Sequence, residues 1–176
     1  TPQEGHSPSP QERQSWLQIS YMKEAYHTMG PKFTLGWMAE ALYSSKNFSE
    51  NYTATMMQAG EFAPTPHSKL MYNEAFRANQ YVAAGIKPIY VLNDMFQFRT
   101  EFYGFTPIFP IKKNALNKAY YGKAFSRFEY MGEVSVICHL PFGAISAYVN
   151  HYSSPRREWN VGMTIGWQLF NYRFVE

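Results

Sequence analysis

The chain holds one cysteine, Cys138, in 176 residues, so neither a disulfide framework nor a thiolate metal cluster can form within it. Charge is scarce: Lys and Arg number 16 against 13 Asp and Glu, and no basic run is dense enough for a nucleic-acid footprint. No stretch approaches the roughly 18 consecutive apolar residues of a membrane-spanning helix, and no signal peptide opens the sequence. The first residue is not methionine, so the chain is expected to be a piece of a longer protein. The single aspartate, Asp94, sits in a predicted turn, and no serine lies in a G-x-S-x-G elbow. A Ser-His-Asp triad or Ser-Asp dyad is therefore not expected, and no catalytic residue is assigned. The five histidines show no metal-ligand spacing, so no metal or cofactor is expected.

What the chain has in quantity is aromatic side chains, 18% of all residues, set in strict alternation. In "WNVGMTIGWQLF", Trp159, Val161, Met163, Ile165, Trp167 and Leu169 fall on one side, with Asn160, Gly162, Thr164, Gly166 and Gln168 on the other. That is the period of a strand. The same pattern runs through Lys32 to Tyr43, Val82 to Leu92, Met95 to Phe105 and Glu129 to Leu140. It is weaker in Leu17 to His27, where Lys23 interrupts the apolar side, and more mixed in Ala144 to Tyr152. From Lys32 onward every charge inside these strands falls opposite the large apolar set. A soluble sandwich would carry a densely charged outward face, whereas this polar side is rich in Gly, Ser, Thr, Asn, Gln and Tyr. The expected partner of the apolar side is a lipid bilayer, with the six residues from Trp159 to Leu169 facing lipid.

Strands of about ten residues match a tilted crossing of a bilayer, and the turns alternate in length as outer-membrane barrels require. Met29-Gly30-Pro31, Asn93-Asp94 and Pro141-Phe142-Gly143 are short; Ser44 to Tyr81 and Thr106 to Phe128 are long. Residues 1–14 form a Pro/Ser/charge-rich stretch expected to be an exposed tail or part of an outer loop. Residues 15–176 then form a partial barrel with a long loop at 45–81, in which Asn51 to Gly60 is a candidate short helix. Seven strands cannot close a barrel of even count, and unpaired edges in lipid cost several kcal/mol per group. The remaining strands are expected from other parts of the parent protein. A soluble lipid-binding β-barrel remains an alternative, because alternation alone does not identify what covers the apolar side.

Individual polar residues admit two readings each. His67 in "PTPHSK" could be a general base, but a histidine bonding loop backbone is preferred. Glu101 and Glu133 could form an acid/base pair; two inward carboxylates balanced by Arg99 or Arg77 is preferred. Cys138 reads as a small apolar residue.

The runs "FAPTPHSKLMYNEAFRANQYVAAGIKPIY" and "GEVSVICHLPFGAISAYVNHYSSPRREWNVGMTIGWQLF" resemble the carboxy-terminal barrel of bacterial patatin-like phospholipases, in the superfamily of BamA and the two-partner-secretion transporters. The resemblance covers nearly the whole chain after the tail. It implies an antiparallel transmembrane barrel of about sixteen strands in the bacterial outer membrane, of which this chain supplies the last seven. It also implies an amino-terminal patatin domain that hydrolyses lipid acyl esters and matches nothing here. The chain would then be the membrane-anchoring portion of the parent, with translocation as a second role that the superfamily offers. A BamA-like assembly or transport barrel is the second alternative. In the superfamily the long loop folds into the lumen with an Arg-Gly-aromatic motif at its tip, to which "FRANQY" corresponds with Arg77 in the arginine's place and Ala78 in the glycine's. Arg77 is therefore expected to pair with a lumenal carboxylate, and Glu101 is the chosen partner. Met163→Arg is expected to be costly and Gly162→Ser mild.

Overall fold

The computed structural model describes residues 15–49, 51–154 and 159–167. Seven long strands form one antiparallel sheet: β1 (Gln18–Thr28), β2 (Phe33–Ser44), β5 (Gln80–Val91), β6 (Phe96–Pro107), β9 (Glu129–Leu140), β10 (Gly143–Tyr152) and β11 (Trp159–Trp167). They pair in sequence order, β1-β2-β5-β6-β9-β10-β11. The protein is all-β, as the alternation predicts, and every expected strand is present. β1 and β11 are the two edges of the sheet and do not pair with each other, so the described residues form an open sheet. No described helix is long and apolar enough to cross a membrane, which says nothing of strands.

The short reversals have local causes. Gly30 takes φ +116, a conformation that side chains rarely adopt, between β1 and β2. Between β5 and β6 the Asn93 side chain accepts the backbone N–H of Met95 at 3.0 Å and of Phe96 at 2.8 Å, an Asx-type reversal. The β5–β6 ladder skips Lys87 and Pro88 and resumes at Ile89 with Arg99, since proline has no N–H to donate.

The two long connections have structure of their own. Between β2 and β5 lie α1 (Tyr52–Gln58), β3 (Gly60–Glu61), two 3-10 turns (Ser68–Leu70 and Glu74–Phe76) and β4 (Arg77–Ala78). The expected helix is present, and Asn51 caps it by accepting the Ala54 N–H. Between β6 and β9, a stretch expected as open loop holds a hairpin of β7 (Ile111–Lys113) and β8 (Ala119–Tyr121). Asn114 makes that hairpin: its side chain accepts from Leu116 and Lys118, and Asn117 turns at φ 57.

Among the described residues, the core lies on one face of the sheet. Phe62, Ala75, Phe76 and Ala78 of the β2–β5 connection pack on Met38, Leu42, Tyr81, Ala83, Tyr103, Phe105, Met131 and Tyr152. These eight come from β2, β5, β6, β9 and β10, all from the face that carries the strand charges. The connection therefore folds back over the sheet, and the face it covers is called inner below.

Candidate functional site

On the inner face, side chains of one strand reach across the next. The Glu24 carboxylate of β1 accepts hydrogen bonds from Tyr26 and from Lys87 of β5, and Lys87 is buried. The space for this crossing comes from Gly36 of β2, where a Cβ would strike the Tyr26 ring and crowd the Lys87 stem. Tyr26 and Gly36 are register partners, and so are Tyr103 with Gly85 and Tyr148 with Gly162. In all three pairs the ring lies where a side chain of the glycine would be. Aromatic cover of a strand glycine packs two facing positions as one.

Four carboxylates on this face have separate partners. Tyr81 donates to Glu40 at 2.5 Å. Glu129 accepts from Arg127 at 2.9 Å and from Ser153 at 2.5 Å. Glu101 and Glu133 are direct register partners on β6 and β9, a like-charge opposition that costs energy unless each finds compensation. Glu101 pairs with Arg99 and accepts from Tyr103, both two residues away on its own strand and hence on the same face. Glu133, 6% exposed, is met from above by the connection: His67 Nδ1 lies 2.8 Å from its Oε1.

His67 is the side chain that ties the connection to the far strands. Its Nε2 lies 3.1 Å from the Thr164 hydroxyl of β11, and its ring stacks on Tyr148 of β10 at 3.4 Å between centroids. One imidazole thus touches β9, β10 and β11. The preferred reading of His67 as a backbone-bonding loop histidine is overturned, because a ring with a polar atom on each side can bridge two strands once the loop is laid across them. The order hydroxyl, imidazole, carboxylate is that of a catalytic relay, but a relay also needs donors converging on an oxyanion. Thr164 sits within β11 in register with Ser146, a setting that accounts for it as a strand residue.

The expected Arg77–Glu101 pair does not form. Arg77 is on β4, in register with Glu61 of β3, and its guanidinium bonds the Glu61 carboxylate at 2.6 Å. It also donates to the carbonyls of Met56, Met57 and Ala59, groups that the end of α1 leaves without intrahelical donors, and lies 4.8 Å from the Tyr72 ring centroid. Arg77 therefore holds the connection together from within, while Glu101 is already compensated by Arg99. Nearby, burial and the hydrogen bond that its hydroxyl donates to Glu74 hold the Tyr52 phenol well above the ordinary tyrosine range, so it remains a donor.

The outer face is the opposite in character. Trp159, Val161, Met163 and Ile165 point outward and are 62–77% exposed; Trp167 is the last described residue of β11, and Leu169 lies outside the described residues. Val82, Ile86, Tyr90, Phe96, Phe98, Phe102, Val134 and Val149 extend the same exposed apolar surface over the other strands. Among the described residues, Lys23 of β1 is the one charge on it, 5.7 Å from the Trp37 ring centroid. The alternation did not draw out one feature of this face. Most aromatics of this face lie toward the strand ends, with Tyr43, Tyr130 and Trp159 on the side of the long connections and Phe33, Tyr90, Phe96 and Phe98 beside the short turns, while Trp37 and Phe102 lie mid-strand. Alanines, valines and Met163 fill most of the middle.

Comparison with protein-family models, with curated proteins and with solved structures gives no match.

Proposed function

We propose that this chain is the membrane-embedded, carboxy-terminal part of an outer-membrane β-barrel, with the outer face of the sheet against lipid. The observation that carries this reading is the sorting of charge: six of the seven strands expose an outer face without one Asp, Glu, Lys or Arg among the described residues, while the inner face carries the ion pairs. A surface this large and apolar is an aggregation liability in water, and hydrocarbon is a solvent in which it is favourable. The aromatic clustering at the strand ends supports it, since such girdles sit at the two interfaces of a membrane. The free edges of β1 and β11 require further strands, because a bilayer leaves unpaired N–H and C=O groups unsatisfied. Those strands come from the rest of the parent protein.

The parent is, in this reading, a patatin-like phospholipase of the bacterial outer membrane whose catalytic domain is not among these 176 residues. The resemblance of the chain after residue 14 supports that assignment, and the inward-folded connection fits it. The chain's role is to anchor that enzyme; a connection packed over five strands favours anchoring over an open passage for cargo. The test is fractionation of the parent protein from cell envelopes. Heat-modifiable migration on gels and resistance to carbonate extraction are the expected outcome, and recovery in the aqueous phase overturns the membrane reading. The upstream reading frame tests the parent: a G-x-S-x-G followed by an Asp-Gly pair is expected, and its absence transfers the barrel to the assembly-factor class.

A further inference from the structure

We infer that the outer face carries a seat for one acyl chain of a bilayer phospholipid, in a groove between β6 and β11; this rests on the membrane reading above. The groove has a volume of about 270 Å³ and is walled by Phe102, Tyr130, Val134, Val149, His151 and Trp159. Gly132 of β9 is its floor. It is flanked in register by Phe102 on β6 and His151 on β10, so the missing side chain leaves a dent between large neighbours.

The walls are ordered by ring contacts. Phe102 stacks on Tyr130 at 6.0 Å, Tyr130 meets His151 at 6.1 Å, and His151 stacks on Trp159 at 4.7 Å between centroids. A volume just under the usual range for drug-sized ligands suits one hydrocarbon chain rather than a whole lipid or a folded partner. Glu101 and Glu133 also border the groove, but their carboxylates are turned to the inner face, where they meet Arg99 and His67, so the side open to the groove offers little for a peptide to bond.

One polar atom gives the seat a direction. His151 Nδ1 is buried and has no hydrogen-bond partner among the described residues, a state that costs free energy until a partner arrives. His151 is the penultimate residue of β10, beside the connection to β11, whereas Val149 and Val134 lie further along their strands. The phospholipid's ester or phosphate oxygen therefore accepts from His151 near the strand ends, and its chain runs over Gly132 toward Val134 and Val149. The girdle side of the sheet is where a headgroup lies when the aliphatic middle faces hydrocarbon.

Gly132 provides the test, because a Cβ added there meets only ordinary contacts at 3.7 Å, from the Glu101 carbonyl oxygen and the Phe102 ring. Gly132→Leu fills the groove while the backbone stays in place. The full-length parent, reconstituted in vesicles of phosphatidylethanolamine and phosphatidylglycerol and then extracted in mild detergent, is examined by native mass spectrometry. Wild type is expected to retain one phospholipid, and Gly132→Leu to retain about tenfold less. Ala84→Leu, on the outer face of β5 away from the groove, is expected to match wild type, and His151→Phe to weaken retention by keeping the ring and removing the polar atom. If Gly132→Leu does not fold, Val149→Phe fills the same groove from β10 with the same expected loss. Insertion into vesicles with no phospholipid retained, or with equal retention by the filled variants, overturns the seat and leaves the membrane reading standing. A detergent-stable dimer abolished by Gly132→Leu also overturns it, giving the groove to a second copy. Failure to insert at all overturns both.

Discussion

The two faces of this sheet are built from the same seven strands and solve opposite problems. The outer face exposes Trp159, Val161, Met163 and Ile165 without cover from the other described residues. The inner face buries Lys87, Glu101 and Glu133 to within 6% exposure. A buried charge survives only when it is paired, and the inner face meets that demand with Glu24–Lys87, Arg99–Glu101 and His67–Glu133. The lesson is that alternation sorts side chains by solvent but leaves the pairing of the polar set to be decided across strands and loops. The outer face needs no partners within the chain. The inner face is made of them.

The largest expected effect tests the outer face. Met163→Arg puts a charge on a surface that lacks one on six strands, and if lipid lies there it destabilises the inserted fold by about 2–4 kcal/mol. Urea unfolding of the reconstituted protein measures this, and a change below the error of the method would take the bilayer away from that face. Next is His67→Ala on the inner face, which leaves the buried Glu133 without its partner at about 2–3 kcal/mol. Its Oε2 already lacks a hydrogen-bond partner among the described residues. Faster protease cleavage between Ser45 and Asn79 is expected with the sheet intact; unchanged cleavage would mean that the apolar packing of Phe62 and Phe76 holds the connection alone.

Gly162→Ser sharpens the contrast between neighbours on β11. The polarity of the inner face makes it look mild, but a Cβ there collides with the tip of Tyr148. That ring is held by its stack on His67 and cannot swing away freely. A loss of about 1–3 kcal/mol is expected, as for overpacking, and Gly162→Ser in a Tyr148→Ala background should lose much less in the same unfolding assay. The smallest effect is Thr164→Val, which keeps shape and removes one hydrogen bond to His67 at about 1 kcal/mol. Cleavage of the connection should rise slightly and far less than for His67→Ala; an equal rise would make the Thr164 contact, rather than Glu133, the one that holds the loop.

How much of this was legible beforehand follows from the range of each interaction. The strands, their faces, the cap at Asn51 and the tight turns depend on residues a few positions apart, and each is read from the chain directly. The β7–β8 hairpin was missed although its signal was local: Asn114 to Lys118 is a turn built on one side chain, flanked by strands too short for alternation to stand out. Arg77 was assigned to the wrong carboxylate because its partner follows from β3 pairing with β4, a register of two residues that leaves no periodic trace. His67 was seen as a loop residue for the same reason, since Glu133 and Thr164 are 66 and 97 positions away.

The sequence by itself determined that this protein is an antiparallel sheet with one apolar and one polar face, because side-chain direction in a strand is fixed by parity and nothing else. The tertiary structure decided which charges compensate one another, which glycines lie under tyrosines, and that the connection is tied across the far strands by His67. Those depend on register between strands and on where a loop comes to rest, and both are set by packing among residues distant along the chain.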